Sequence, residues 1–475
     1  MDLVAGVDSS TQSCKVVIRR LDTGEVVRTG HASHPDGTEV DPELWWVALQ
    51  EAIASAGGFE GVTAVSVGAQ QHGMVLLDSD GRVIRPALLW NDTRSAPSAD
   101  QLIKELGRSR FAQETGSVPV ASFTITKLRW VADNEPENAA RIQAVCLPHD
   151  WLTWRLMGYG PTGESPHGPN LQALTTDRSD ASGTGYFSSA TNSYLPEFLT
   201  QALGHVPELP KVLGPADVAG ETPEGIIVGV GAGDNAGAAL GLGSLPGDVV
   251  VSIGTSGTVF SVSEVPARDE SGLVAGFADA SGHYLPLIAT LNAARVLDAT
   301  RNLLGIDFAE FERLALSAPP GSGGATLIPY FEGERTPNFP FAQASMHGLS
   351  LASFTRENVA RASIEAVLCS LAEGLDAVKA QGVQPRRIML IGGSAQNPAV
   401  AKIAGSLFDY PVEVPEPAEY VALGGSVQAA WAVTGDRPNW PVDSTPVEPT
   451  DYHPEIRARY AEFRARTYAE SDSHS

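Results

Sequence analysis

Short apolar runs set off by small polar residues open the chain. Leu3 to Val7 and Cys14 to Arg20 read as strands, and Asp22-Thr23-Gly24 turns into another at Glu25 to Thr29. The period then changes. Asp41-Pro42 starts a helix carried by Trp46, Leu49 and Ile53, and an apolar strand follows over Ala64 to Gly68. Midway, Ile226 to Val230 is a continuous apolar run and Ala236 to Leu240 opens a helix. The opening pattern then returns. Val249 to Ile253 and Thr258 to Val262 are strands around the small polar turn Gly254-Thr255-Ser256-Gly257. Val359, Ile364, Val367, Leu368, Leu371 and Leu375 mark a helix, and Arg387 to Ile391 is a strand ending in Gly392-Gly393-Ser394. At the far end Ile456, Tyr460 and Phe463 recur at helical spacing, which predicts a docked last helix with Ser471 to Ser475 trailing loosely.

The recurrence predicts an α/β protein built from two copies of one βββαβαβα-type unit, residues 1–244 and 245–475, facing each other across a cleft. Such a cleft is a natural nucleotide site. A length of 475 residues is enough for two separate cores.

Charge narrows the partners. A net charge of −24 argues against nucleic acid and anionic membrane, while a charged fraction of 19% keeps the chain globular. Cys14, Cys146 and Cys369 form no C-x-x-C pair, so neither a disulfide framework nor a cysteine-rich zinc site is expected. The first residues lack a basic stretch before an apolar one, and no run is long enough to span a bilayer. A soluble, cytoplasmic protein is the simplest expectation.

Three readings compete at Gly231-Ala232-Gly233-Asp234-Asn235-Ala236-Gly237. Asp234 can cap the helix that follows. Gly231, Gly233 and Ala236 also fit a G-x-G-x-x-A dinucleotide fingerprint, but the next strand runs into Gly254-Thr255-Ser256 where an acid is required, which argues against a nicotinamide cofactor. In the third reading Asp234 is a base. Two further segments suit phosphate oxygens: Asp8-Ser9-Ser10-Thr11-Gln12-Ser13 and Gly254-Thr255-Ser256, both rich in small hydroxyl residues. Either can equally be an ordinary hairpin tip. No G-x-x-x-x-G-K occurs, so any phosphoryl chemistry proceeds without a P-loop.

Taken in order, several motifs resemble the FGGY family of carbohydrate kinases, within the actin-like, ribonuclease H-like (hexokinase superfamily) fold. They are Gly6-Val7-Asp8, Gln70-Gln71-His72-Gly73, Leu89 to Arg94, Phe123 to Lys127 with Trp130, and Ser179 to Thr184. Gly233-Asp234-Asn235, Gly254 to Gly257, Pro329-Tyr330, Gly333 to Pro337, Gly392-Gly393 and Glu419 to Gly424 continue the series. The sugar-side versions resemble the xylulokinase branch. The resemblance implies transfer of phosphate from ATP to D-xylulose, giving D-xylulose 5-phosphate. It makes Asp234 the general base, with Asn235, Gln71 and His72 on the sugar, and gives Asp8 a magnesium ion held through water. It assigns ATP to Ser10, Thr11, Gln12, Lys15, Gly254, Thr255, Ser256, Gly392, Gly393 and Asn397, within a first, sugar-binding domain and a second, nucleotide-binding one. Closure would hinge near residues 243–247, and a homodimer is compatible with the likeness.

Some residues keep plainer readings. His72 can be a buried histidine on a carbonyl, Trp90 is expected in the core, and Arg335 is expected to tie its loop down through Glu334. Ala69 and Gln71 replace the glycine and methionine of the common Gly-Gln-Met-His-Gly motif, which leaves L-ribulose, glycerol and gluconate open as acceptors. Residues 158–174 read as a loose surface insertion. The alternative class is an actin-like or chaperone-like ATPase acting on a protein partner; Asp234-Asn235 with Gln71-His72 favours the kinase.

Overall fold

The computed structural model describes residues 2–468, so the expected loose tail at Ser471 to Ser475 lies outside the described residues. The chain forms two compact units. The first takes in Met1–Ser244, Glu264–Leu285 and Ala418–Pro441; the second takes in Leu245–Ser263, Pro286–Pro417 and Val442–Ser475. A cut of the chain at 244/245 therefore leaves two later segments that pack with the first unit.

In the first unit, strands Leu3–Ser9, Ser13–Arg20 and Val26–Ser33 form an antiparallel meander. Leu3–Ser9 also runs parallel to Val62–Ala69, which runs parallel to Ile227–Gly229. The central strands are buried along nearly their whole length because helices cover both faces, which is why their sequence reads as apolar runs without alternation. Helix Pro42–Ser55 lies on one face, with Asp41 accepting the Glu43 N–H at 3.0 Å as its cap. Helix Tyr420–Thr434 lies on the other. Trp45, Leu49 and Ala52 fill the core against Val16, Ile18, Val65 and Val67.

The second unit repeats this plan. Strands Asp248–Ile253, Gly257–Ser261 and Tyr284–Thr290 form the meander, and Asp248–Ile253 runs parallel to Arg387–Ile391, itself parallel to Val412–Pro415. Its covering helix spans Arg356–Ala380, longer at both ends than the apolar positions 359–375 imply, because Thr355 caps it at the Asn358 N–H. The last helix, Pro454–Tyr468, buries Ile456 and Tyr460 as its spacing predicts. Both units are thus α/β domains of the actin-like, ribonuclease H-like type.

One expectation is corrected and another is met. Residues 158–174 do lie on the surface, but they are tied down: Gly160 N–H donates to Gly168 O at 3.2 Å, His167 N–H to Gly158 O at 2.9 Å, and Trp154 Nε1 to Asn170 O at 2.9 Å. Arg335 does tie its loop to Glu334 as expected, through its main-chain N–H. Glu334 ties the loop itself, accepting from the N–H groups of Leu291 and Arg335, each at 2.7 Å, and from Asn292 Nδ2 at 3.0 Å.

Main chain meets main chain where helix Tyr420–Thr434 crosses strand Leu3–Ser9. A Cβ at Gly6 would sit 1.8 Å from Ala422 O and 2.3 Å from Ser426 N. Neither neighbour is a side chain that can swing away, so relief means lifting the helix. Overpacking costs about 1–3 kcal/mol, and Gly6→Ala is expected at or above the top of that range. Denaturant unfolding checks this, and wild-type stability in the variant would refute it.

Candidate active site

Three parallel strand ends converge in the first unit. Asp8 pairs across from Gly68, Ser9 from Ala69, and Gly233 from Ala69 on the other side. The register therefore brings Asp8, the segment Gln70-Gln71-His72 and Asp234 to one edge of the sheet, the place where open α/β sheets bind ligands.

Asp234 is the first residue of helix Asp234–Gly241, and Gly233 occupies the cap position. Its Oδ1 accepts both the Asn235 N–H and the Asn235 Nδ2, each at 2.8 Å. Its Oδ2 has no hydrogen-bond partner among the described residues. Burial, with the Asp8 charge adding to it, pushes the Asp234 carboxyl up to about 7, although the Asn235 bonds pull the other way. A half-buried carboxylate with one open oxygen can take a proton from an alcohol; a carboxylate spent on capping could not.

The turn before it is held from several elements. Gly231 adopts φ 89°, donates its N–H to Ser66 Oγ at 3.0 Å, and accepts at its carbonyl from Gln428 Nε2 at 2.8 Å. Gly233 N–H donates to Ser179 Oγ at 3.1 Å, and the Ser179 carbonyl accepts from Gln71 Nε2, also at 3.1 Å. Gln71 lies so close to Gly233 that a Cβ there would meet its Cγ at 2.7 Å.

His72 is buried, as its plainer reading has it, and its Nδ1 lies 2.6 Å from Gly183 O. Its ring packs on Phe123 at 4.9 Å and Phe277 at 5.6 Å. The backbone is left-handed, with φ 68°, a conformation that costs energy in a residue with a side chain. Lys127 offsets this. Fully buried, it donates from Nζ to His72 O at 2.7 Å, and burial holds its amine well below the ordinary lysine value.

Asp8 is buried, and Ser10 Oγ donates to its Oδ1. Burial pushes its carboxyl up to about 6, against the pull of Ser10 and Lys15. Lys15 Nζ stands 3.8 Å from Asp8 Oδ2 and 2.6 Å from Glu419 Oε2. In the connecting loop Ser10 N–H is taken by Ser13 O at 3.0 Å, and Gln12 is exposed. Thr11 Oγ1 accepts from Trp90 Nε1 at 2.9 Å, and Trp90 is 39% exposed. Trp90 is therefore not a core residue: its indole N–H finds its partner at the loop tip, and the residue stays partly in solvent.

The second unit carries a separate recess of about 770 Å³, lined by Gly254, Thr255, Ala294, Phe308, Gly393 and Asn397 among others. Ser256 lies in the same hairpin tip, between strands Asp248–Ile253 and Gly257–Ser261. Gly392, at φ 94°, must be glycine, since a Cβ would lie 2.5 Å from Ile253 O. Asn397 spends Oδ1 on the Ala399 N–H at 2.9 Å, which caps the next helix. Apolar walls beside exposed main-chain groups suit a nucleoside. The expected residues thus fall into two groups, Asp8 to Lys15 with Gln71, His72, Asp234 and Asn235 in one unit, and Gly254 to Ser256 with Gly392, Gly393 and Asn397 in the other.

Sequence reasoning met Lys127 and Glu419 only inside motifs, without a role, and left out Ser66 and Gln428. Each acts on main chain or on another side chain from far along the sequence, so local pattern shows no role for it.

Residues 3–241 match the N-terminal domain, and residues 249–433 the C-terminal domain, of the FGGY family of carbohydrate kinases. A xylulose kinase of Streptomyces rubiginosus is 45% identical over 92% of this chain and 89% of its own length. One from Streptomyces coelicolor is 44% identical over 91% and 89%. The crystal structure of xylulose kinase from Bifidobacterium adolescentis superposes with a TM-score of 0.91 at 47% identity, covering 98% of this chain and 99% of that one. Because both domain profiles match in order and reach from residue 3 to residue 433, the chain belongs to the FGGY family of carbohydrate kinases, enzymes that phosphorylate a sugar or polyol with ATP.

Proposed function

We propose that this enzyme transfers the γ-phosphoryl group of ATP to the 5-hydroxyl of D-xylulose, in the cytoplasm. The observation that carries the assignment of the base is the open Oδ2 of Asp234, on a turn fixed by Ser66, Gln428 and Ser179. The assignment of the sugar is supported by the names of the relatives, and by the place of Gln71 against Gly233 in that turn with His72 next to it in the chain.

In this reading Asp234 accepts the proton of the attacking hydroxyl, and Asn235 holds the carboxylate by two hydrogen bonds so that Oδ2 faces the substrate. Gln71 and His72 orient the ketose. Phosphoryl transfer needs an aligned nucleophile and compensation for charge that spreads over the phosphoryl oxygens. Gly254, Thr255, Ser256, Gly392, Gly393 and Asn397 hold the nucleotide, with Ser10, Thr11, Gln12 and Lys15 towards its phosphates. Asp8 fits magnesium by its donor chemistry. It is a hard, buried carboxylate whose one ammonium neighbour is shared with Glu419, so its charge is only partly answered. Bound there, magnesium would neutralise charge on the ATP phosphates.

The two aspartates separate by substitution. Asp234→Asn can still accept the Asn235 N–H through its amide oxygen, so the helix start should survive while transfer falls at least about 10²- to 10⁴-fold. Asp8→Asn should instead raise the magnesium and ATP requirement, most at low magnesium. Near-normal turnover by Asp234→Asn in a steady-state assay would remove the base assignment. The pH profile gives an independent reading. Asp234 works ionised, so kcat/KM should climb with pH through about 7 and level off above it. A flat profile from the acid side would contradict this. For the acceptor, ADP release measured over a panel should rank D-xylulose first by kcat/KM, above L-ribulose, glycerol and gluconate; a clear preference for any of those would overturn the choice.

A further inference from the structure

Under the Gly231–Asp234 turn lies a cluster sealed from solvent. His149 and Asp180 are 0% exposed, Asp150 1% and Asp177 3%. His149 stands in the first turn of helix Pro148–Leu156. Its Nδ1 lies 2.6 Å from Asp180 Oδ2 and its Nε2 lies 3.3 Å from Asp150 Oδ1. Nδ1 is bonded to Asp180, whereas Nε2 and Asp150 Oδ1 meet only as charges, each buried without a hydrogen-bond partner among the described residues; a bare lone pair on Nε2 would face that carboxylate.

The cluster reaches the reacting edge through two contacts. A Cβ at Gly231 would lie 2.4 Å from His149 Cδ2 and 2.9 Å from Nε2, so the turn rests directly on the imidazole edge. Asp177 accepts the N–H groups of Ser179 and Asp180, each at 2.9 Å, and fixes the short turn that carries Asp180. Ser179 in that turn binds Gly233 N–H and the Gln71 amide.

We propose that His149 is a positioning residue for phosphoryl transfer: as an imidazolium clamped between Asp150 and Asp180, it sets the height of the Gly231–Asp234 turn and, through Ser179, the reach of Gln71. This rests on the reading of Asp234 as the base. Burial opposes charge on the ring, but Asp150, Asp180 and Asp177 outweigh it and push the imidazole up to about 9. The other groups near the acids, Cys146, Tyr186 and Tyr194, are driven by burial to stay uncharged. The charge of Asp234 is among those that raise the Asp180 carboxyl, so the cluster and the reacting edge feel each other electrostatically.

The first measurement needs no variant. Nitrogen NMR of histidine-labelled wild-type enzyme should find both ring nitrogens of His149 protonated at neutral pH, and a neutral ring there would overturn the proposal. In His149→Gln, kcat/KM for the sugar should fall about 10²-fold, the scale of a small misplacement of reacting groups. Its acid limb should move to higher pH, the KM for ATP should stay unchanged, and hydrogen exchange should quicken at the Gly231 and Gly233 amides. Ser179→Ala, which spares the ion cluster, should reproduce the loss and the faster exchange at Gly233 without moving the limb. Folded His149→Gln enzyme with wild-type kcat/KM, or with sugar and ATP affinities lost together, counts against the clamp. Failure of Asp234→Asn to lose transfer would strike the base reading alone, because amide exchange reports the clamp whatever group takes the proton.

Discussion

Close contact of main chain with main chain, made possible by missing side chains, is the constraint on which the first unit depends. Helix Tyr420–Thr434 presses onto strand Leu3–Ser9 at Gly6, and onto helix Asp234–Gly241 at Gly241 and Gly424, where an added Cβ would stand 2.0 Å from a carbonyl oxygen on the opposite helix. Dispersion between closely packed backbones, with no side-chain entropy to lose, holds this seam. It also sets the chemistry. The strand that ends in Asp8 and the helix that begins with Asp234 are both gauged against the same third element, which begins beside Glu419 and supplies Gln428 to the Gly231 carbonyl. Glycine here is a spacing device, and the spacing reaches the carboxylates.

Acid chemistry in an acid-rich chain raises a second constraint. With 56 acidic residues against 32 lysines and arginines, basic groups are scarce, and three basic side chains of the first unit are spent on position. Lys127 goes to the His72 carbonyl, Lys15 is divided between Asp8 and Glu419, and His149 is set between two aspartates. None of these cations pairs with Asp234. An ammonium beside it would depress its carboxyl and weaken it as a base; burial does the opposite.

The strands and long helices were legible because each is a local pattern: apolar runs where both sheet faces are covered, and a three-to-four period where one face is. The duplication was legible because the same pattern occurs twice. Asp8 and Asp234 stood out because small residues and glycines surround them. Trp90 misled, since a large aromatic residue after an apolar strand looks like core, and nothing local shows that its N–H would find Thr11. His149 was invisible for a different reason. Its meaning lies in Asp180 and Gly231, brought to it by tertiary packing, and Pro148-His149-Asp150 alone reads as an ordinary helix start. Arg335 was half legible: the loop is tied as its sequence implies, but through Glu334 and backbone.

The return of segment Ala418–Pro441 to the first unit bears on how the chain comes to be made. A ribosome delivers residues 1–244 early, yet that stretch lacks the helix that seals one face of its sheet, so Gly6 and its neighbours stay uncovered until residues 418–441 are made. The second unit is released in the reverse condition, with its central sheet complete by Pro417 and only the last helix and edge strand to come. The part that holds the N-terminus therefore waits for residues 418–441, made after most of the second unit, before its sheet is sealed. An early stop between residues 244 and 418 yields an open apolar sheet rather than half an enzyme, and such a fragment is a natural client for chaperones.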